Sequence, residues 1–103
     1  MKFNTGKILV TETVSNLIEH HQFFSSFCNS SLRRHIMKDW GDLCEDDKLM
    51  NDLAIENEND RILSSYDIPK ELQSQIDFEG NTKIWIITEA TRDYTTILLP
   101  SEY

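Results

Sequence analysis

Two stretches near the C-terminus decide the fold: Lys83-Ile84-Trp85-Ile86-Ile87-Thr88-Glu89 and Tyr94-Thr95-Thr96-Ile97-Leu98-Leu99. Both are rich in β-branched and aromatic residues, which favour strands. The turn-like segment 90–93 between them is short enough to join neighbouring antiparallel strands. We therefore predict that the two stretches pair as a β-hairpin.

The residues upstream of this hairpin add two strands, at about 7–13 and 61–66. Between them, apolar residues recur at helical spacing and predict three helices. The first begins at Asn16 and stops at the Asn29-Ser30-Ser31 interruption, the second is short, and the third spans about 43–57 after an Asp42 cap. A short helix is possible in the connector, near 70–75.

The predicted order of elements is β-α-α-α-β-β-β. It indicates an α+β fold in a single domain, residues 1–103, with three helices packed on one face of an antiparallel sheet of about four strands. In the third helix, the wheel places Leu43, Met50 and Ala54 on the buried side, and Glu45, Asp52 and Glu56 on the opposite side.

The composition narrows the class of protein. The chain has 103 residues, a formal charge of −8 and 39% hydrophobic residues, which suits one soluble domain. Its longest apolar runs are far shorter than the ~20 residues of a membrane helix, and no signal peptide is visible, so we expect a cytoplasmic protein without membrane contact. Cys28 and Cys44 match no metal spacing and are expected to be small core thiols.

The negative charge is concentrated in one segment. Residues 39–60 hold nine acids and one base, a charge of −8, while the rest of the chain is balanced. Such a surface repels bare nucleic acid. The helix dipole explains the acids of the first turn of the third helix, but not those beyond it.

The carboxylates left without that explanation, Asp52, Glu56, Glu58 and Asp60, predict a binding surface. Together with the first-turn acids they make seven residues that we name the acidic surface: Glu45, Asp46, Asp47, Asp52, Glu56, Glu58 and Asp60. Carboxylates one helical turn apart are spaced roughly like phosphates on a nucleic-acid strand, so this surface could occupy a basic groove meant for RNA or DNA. A solvated face that keeps the protein soluble is the alternative.

Catalytic templates are missing from the sequence. It has no His-Glu-x-x-His, no phosphate-binding glycine loop and no Gly-x-Ser-x-Gly, so we predict no catalytic residues, no metal and no cofactor. A basic patch of Arg33, Arg34 and Lys38 precedes the acidic segment. We expect it to pair mainly with neighbouring carboxylates.

Five segments carry a resemblance to a known family: Ser31–His35, Asp39–Lys48, Arg61–Tyr66, Lys83–Glu89 and Leu99–Tyr103. Together they resemble the small "plasmid-related" proteins of Gram-positive mobile elements. The chain also resembles anti-CRISPR proteins of the type II-A inhibitor group, which implies a small, non-enzymatic inhibitor in the cytoplasm of the host bacterium.

What this resemblance implies about the partner agrees with the acidic surface. A type II CRISPR effector nuclease holds its guide RNA and target DNA in positively charged channels, which a carboxylate-lined helix could enter. Two alternatives remain. One is a metal-dependent nuclease that acts on guide RNA through carboxylates near 39–47, and the other is a plasmid regulator that binds nucleic acid through Arg33, Arg34 and Lys38. The sequence leaves both a monomer and a homodimer open.

Overall fold

The computed structural model describes residues 3–103, which form four strands, four helices and a final 3-10 turn. The strands are β1 (Lys7–Val10), β2 (Ile62–Asp67), β3 (Lys83–Thr88) and β4 (Tyr94–Leu98). The helices are α1 (Glu12–His20), α2 (Gln22–Ile36), α3 (Glu45–Asn57) and α4 (Lys70–Gln75), and the 3-10 turn spans Pro100–Glu102. The α+β class, the order of elements and the C-terminal hairpin are confirmed.

The strands form one mixed sheet in the order β1-β4-β3-β2. β3 pairs with both β2 and β4 in antiparallel fashion, as predicted. β1 instead runs parallel to β4, with Ile8 opposite Thr95 and Val10 opposite Ile97. The sheet is therefore not wholly antiparallel, because the two helices that follow β1 return the chain on one side of the sheet.

The main core lies between this sheet and α1, α2 and α4. Val14, Phe24 and Cys28 of the helices pack with sheet residues that include Ile84 and Ile86. Alternate residues of β3 face this core, as expected for a strand whose side chains switch sides at each position. The C-terminal residue covers part of the opposite face, where the Tyr103 and Trp85 rings stack edge to face with centroids 5.7 Å apart.

The helices begin and end at different residues from those predicted. Thr11, not Asn16, caps α1, since its hydroxyl accepts a hydrogen bond from the N–H of Val14 at 3.3 Å. α2 runs without interruption through Asn29-Ser30-Ser31, because Phe24, Cys28, Ser31 and His35 form one continuous buried row along it. The chain breaks earlier instead, at His21, which is extended.

The third helix lies along the β2 edge of the sheet, whereas the prediction placed it on the helix-covered face. Its buried residues are Asn51 and Ala54, and Ala54 joins Trp40 and Ile62 in a second, smaller core cluster. The prediction for Met50 was wrong: its side chain is 58% exposed. Cys44 is also exposed and precedes the helix as its N-terminal cap residue, while Cys28 is buried as expected.

Candidate functional site

Polar contacts of three residues hold α3 against the rest of the protein. The side-chain amide of Asn51 donates to the C=O of Leu63 at 2.6 Å and accepts from the N–H of the same residue at 3.2 Å. Asp52 Oδ1 accepts from the indole N–H of Trp40 at 2.9 Å. The third contact is made by Arg92, whose guanidinium donates to backbone carbonyls at the end of the helix. These contacts leave one side of α3 free to face solvent.

Arg92 links the β3–β4 hairpin to the C-terminal end of α3. Its Nη2 donates to the C=O of Ala54 at 3.2 Å, and its Nη1 donates to the C=O of Asp60 at 2.7 Å. The C=O of Ala54 also accepts from the N–H of Glu58 at 2.8 Å. Carbonyls at the end of a helix carry partial negative charge, so a cation stabilises that end. The sequence suggested only that Arg92 belongs to a turn.

The α3 outer face contains apolar as well as acidic residues. Leu49 is 56% exposed and Leu53 is 41% exposed. They are four residues apart and therefore neighbours on the helix surface. At about 100° per residue, Glu45, Asp46 and Glu56 lie within about 60° of the centre of this pair. We define the α3 outer face as Leu49 and Leu53 with the surrounding carboxylates Glu45, Asp46, Asp52 and Glu56.

The other members of the acidic surface lie away from this face. Asp47 lies on the side of α3 toward β2 and lines a shallow depression with Asp60 and Arg61. Glu58 follows the helix in a left-handed conformation with φ 54° and is exposed. The acidic surface predicted as one stripe is thus divided between the α3 outer face and the β2 side of the helix.

Cations from the protein itself neutralise little of this charge. In the part of the chain that the structure describes, the acidic surface makes one ion pair, between Glu45 and Lys48 with 3.7 Å from Oε1 to Nζ. Glu45 is 92% exposed, so the pair contributes little. Asp46 and Glu56 are exposed and have no side-chain partner among residues 3–103.

The basic patch is partly occupied by internal contacts. Arg34 forms a two-point ion pair with Asp39, at 2.8 Å from Nε and 3.2 Å from Nη2, and its guanidinium lies 4.9 Å from the centroid of the Tyr66 ring. The hydrogen-bonded Arg34 guanidinium lowers the pKa of the Asp39 carboxyl. Of the three basic residues, Arg33 and Lys38 remain without an ion pair within residues 3–103.

A buried chain of hydrogen bonds joins α2 to β2, β3 and β4. His35 Nδ1 contacts the hydroxyl of Ser64, and its Nε2 lies 2.8 Å from Thr88 Oγ1. Thr88 Oγ1 lies 2.6 Å from Thr95 Oγ1, and that hydroxyl donates to the C=O of Thr5 at 2.7 Å. Neither the serine nor the histidine is accessible to a substrate, since both are 0% exposed.

The carbonyl of Thr5 at the end of this chain fixes the direction of the hydrogen bonds as far as Nε2 of His35. Thr95 uses its only hydrogen on the carbonyl of Thr5, so Thr88 must donate to Thr95. Thr88 then accepts from Nε2–H of His35. Desolvation by burial lowers the pKa of His35 to about 3, so the imidazole is neutral and its Nδ1 accepts from the hydroxyl of Ser64.

Residues 3–103 contain neither a metal-ligand cluster nor a membrane-spanning helix. Within that range, no three His, Cys, Asp or Glu side chains come together as ligands for one metal ion. No helix in the same range is long and apolar enough to cross a bilayer. The α3 outer face combines two exposed leucines with carboxylates that make few ion pairs.

Comparison with known proteins adds no relative. No family model matches the chain, and neither the curated proteins nor the solved structures contain a match. The resemblance to plasmid-related and anti-CRISPR proteins stays a prediction.

Proposed function

We propose that the protein is a non-enzymatic inhibitor whose α3 outer face binds a basic groove of a type II CRISPR effector nuclease and competes there with guide RNA or target DNA. The observation that carries the proposal is the pair of exposed leucines, Leu49 and Leu53, set among carboxylates that the protein's own cations barely neutralise. An apolar centre with a charged rim is typical of protein interfaces.

The leucines favour a protein partner. A face that only kept the protein soluble would gain nothing from two leucines about half exposed. Their burial against a partner would contribute about 1–2 kcal/mol each, at about 25 cal/mol per Å². The surrounding carboxylates would speed association with a basic surface and select against acidic ones.

The choice of a type II effector rests on the resemblance and on charge. Such nucleases hold nucleic acid in positively charged channels, which attract an acidic surface. The protein would act in the cytoplasm of the host bacterium, where the nuclease operates.

The direct test mixes the purified protein with a purified type II nuclease, with and without guide RNA, and measures complex formation and DNA cleavage. We expect a stoichiometric complex and loss of cleavage, with the guide RNA intact in the presence of Mg²⁺ or Mn²⁺. No complex in either state would overturn the proposal. Degraded guide RNA would instead support the nuclease alternative.

A charge-matched pair of variants tests the surface itself. Glu45→Lys with Glu56→Lys reverses two carboxylates of the α3 outer face. Glu19→Lys with Glu71→Lys makes the same change in net charge on α1 and α4, where both residues are exposed. We expect only the first variant to lose inhibition. Equal loss in both would attribute the effect to total charge.

A further inference from the structure

We infer that the protein self-associates through β1, whose outer edge pairs in antiparallel fashion with the same edge of a second copy to form a continuous eight-stranded sheet. This inference concerns the opposite end of the sheet from α3 and does not depend on the proposed function. It rests on a contrast between the two edge strands, β2 and β1.

Other segments of the chain cover the outer edge of β2. Its outward-facing residues are Leu63, Ser65 and Asp67, and each outward N–H has a partner within the chain. Asn51 bonds both the N–H and the C=O of Leu63. The N–H of Ser65 donates to the C=O of Trp40 at 3.2 Å, while that of Asp67 donates to Asp42 Oδ2 at 2.9 Å.

Gly41 makes this cover possible, because its backbone forms a parallel bridge with Ser65. It adopts a positive φ of 77°, and a Cβ there would lie 2.0 Å from the carbonyl oxygen of Ser65. A side chain at this position would thus force the segment away from the strand. A loop, helix α3 and the positive φ of residue 41 together close this edge of the sheet.

The outer edge of β1 lacks such cover in residues 3–103. Lys7 and Thr11 donate their N–H groups toward the β4 side, to the carbonyls of Asp93 and Ile97. Since successive residues of a strand alternate, the N–H and C=O groups of Ile8 and Val10 point outward. Ile8, Leu9 and Val10 are 42%, 44% and 38% exposed, and the edge has no proline, bulge or inward charge.

These groups are complementary to themselves. When two β1 edges meet in antiparallel fashion about a two-fold axis, Ile8 pairs with Val10 of the second copy, and the reverse pair forms equally. The two pairs make four backbone hydrogen bonds. Leu9 then lies opposite its own counterpart at a non-hydrogen-bonded position, where the Cα atoms are about 4.5 Å apart. Lys7 comes opposite Thr11 of the second copy, one residue from its Glu12.

Electrostatic repulsion does not prevent this pairing, although each copy carries a net charge of −8. β1 and β2 are separated by two strands, so the sheet edges lie about 14 Å apart, and α3 lies beyond β2. That separation exceeds the Debye length of about 8 Å at physiological salt. The acidic segments of the two copies therefore point away from each other and are screened.

The paired area predicts a weak dimer. Four-residue strands with three side chains about two-fifths exposed bury much less than the roughly 1,200 Å² of a standard interface. We therefore expect a dissociation constant on the order of 10–100 μM.

The first test is sedimentation velocity of the full chain over a concentration series that spans this range. The wild type should shift from monomer to dimer. Leu9→Lys places two like charges opposite each other, and Ile8→Pro removes an outward N–H without touching the β4 pairing. Both should remain monomeric, with folding checked by circular dichroism. A wild type that stays monomeric over the whole concentration series overturns the inference. This holds even if β1 pairs with a strand of another protein.

The second test fixes the register by cross-linking. In a Cys44→Ser background, Leu9→Cys should form an intermolecular disulfide readily. The two Cα atoms would be about 4.5 Å apart, a spacing that a disulfide between the side chains can span. Ile8→Cys is the matched control: it lies opposite Val10 and should cross-link at least ten times more slowly. Efficient cross-linking at residue 8, or at neither residue, overturns the pairing.

Discussion

His35 Nε2 and Thr88 Oγ1 lie 2.8 Å apart with both side chains completely buried, and the proton between them belongs to the imidazole. Burial keeps the histidine neutral. Its ring bonds one acceptor on β3, Thr88, and one donor on β2, Ser64. No pattern in the sequence distinguishes this histidine from an exposed one, because its partners Ser64 and Thr88 are distant along the chain.

The first prediction concerns pH. Burial lowers the pKa of His35 from 6.5 to about 3. Below pH 6.5 the unfolded chain binds a proton that the folded protein excludes, so the free energy of unfolding falls as pH falls. The expected loss is about 2 kcal/mol between pH 7 and pH 5, measured by urea denaturation. His35→Gln should be less stable than the wild type at pH 7 but should not lose stability between pH 7 and pH 5. A wild type that is equally stable at both pH values would contradict a neutral His35 in the folded protein.

The second prediction concerns Asn51. Asn51→Leu leaves the N–H and C=O of Leu63 without partners and should lower the free energy of unfolding by about 2 kcal/mol or more. Asn57→Leu, an exposed change at the end of the same helix, is the control and should shift it by less than about 0.5 kcal/mol. Similar values for the two variants would mean that the cover of β2 contributes nothing to stability.

The third prediction separates two carboxylates of the α3 outer face. Asp52→Ala removes the acceptor of the Trp40 indole N–H and should destabilise by about 1.5–3 kcal/mol. Glu56→Ala, a residue without a side-chain partner in the described chain, should change stability by less than about 0.5 kcal/mol. Thermal melting of both variants is sufficient, and a neutral Asp52→Ala would remove Asp52 from the structural contacts.

The fourth prediction tests the apolar centre of the proposed binding face. Leu49→Ser with Leu53→Ser should weaken binding to the nuclease at least tenfold and lower the melting temperature by only a few degrees, since both side chains are about half exposed. Raising salt should slow association of wild type and variant alike, because the carboxylates are unchanged. If the double variant binds as tightly as the wild type, the leucines do not contribute and the interaction is electrostatic only.

The fifth prediction concerns the two thiols. Cys44 is exposed and should react with a thiol reagent within minutes at pH 8. Cys28 is buried, and desolvation raises its pKa to about 12, so it should react only when the protein unfolds. We expect one thiol per chain to react fast in the folded protein. The second should react only as urea unfolds the protein. Two fast equivalents would place Cys28 outside the core.

The elements of the fold were largely predictable because their signals are local. The β3–β4 hairpin follows from two β-branched runs, and the short helix at Lys70–Gln75 lies where the connector suggested it. The continuity of α2 was not predictable in the same way. Asn29-Ser30-Ser31 disfavour a helix locally, but burial of the row from Phe24 to His35 overrides that preference.

The candidate site was only partly predictable, because its geometry depends on contacts between distant residues. The exposed charge of Glu45 and Glu56 follows from the sequence pattern. The outward turn of Leu49 and Leu53 does not, since a helical wheel cannot show that a polar residue, Asn51, occupies the buried side. Asn51 is buried there because it replaces the missing neighbour strand of β2, a role visible only in three dimensions.

That replacement sets a limit on assembly. A sheet open at both edges can add strands without end and grow into fibrils, but this one offers a template at β1 alone. Once two copies have joined there, each exterior edge is a covered β2, and growth stops in a closed, two-fold particle. Asn51 and Gly41 thereby limit the assembly to two copies, and a variant that uncovered β2 would gain a second open edge.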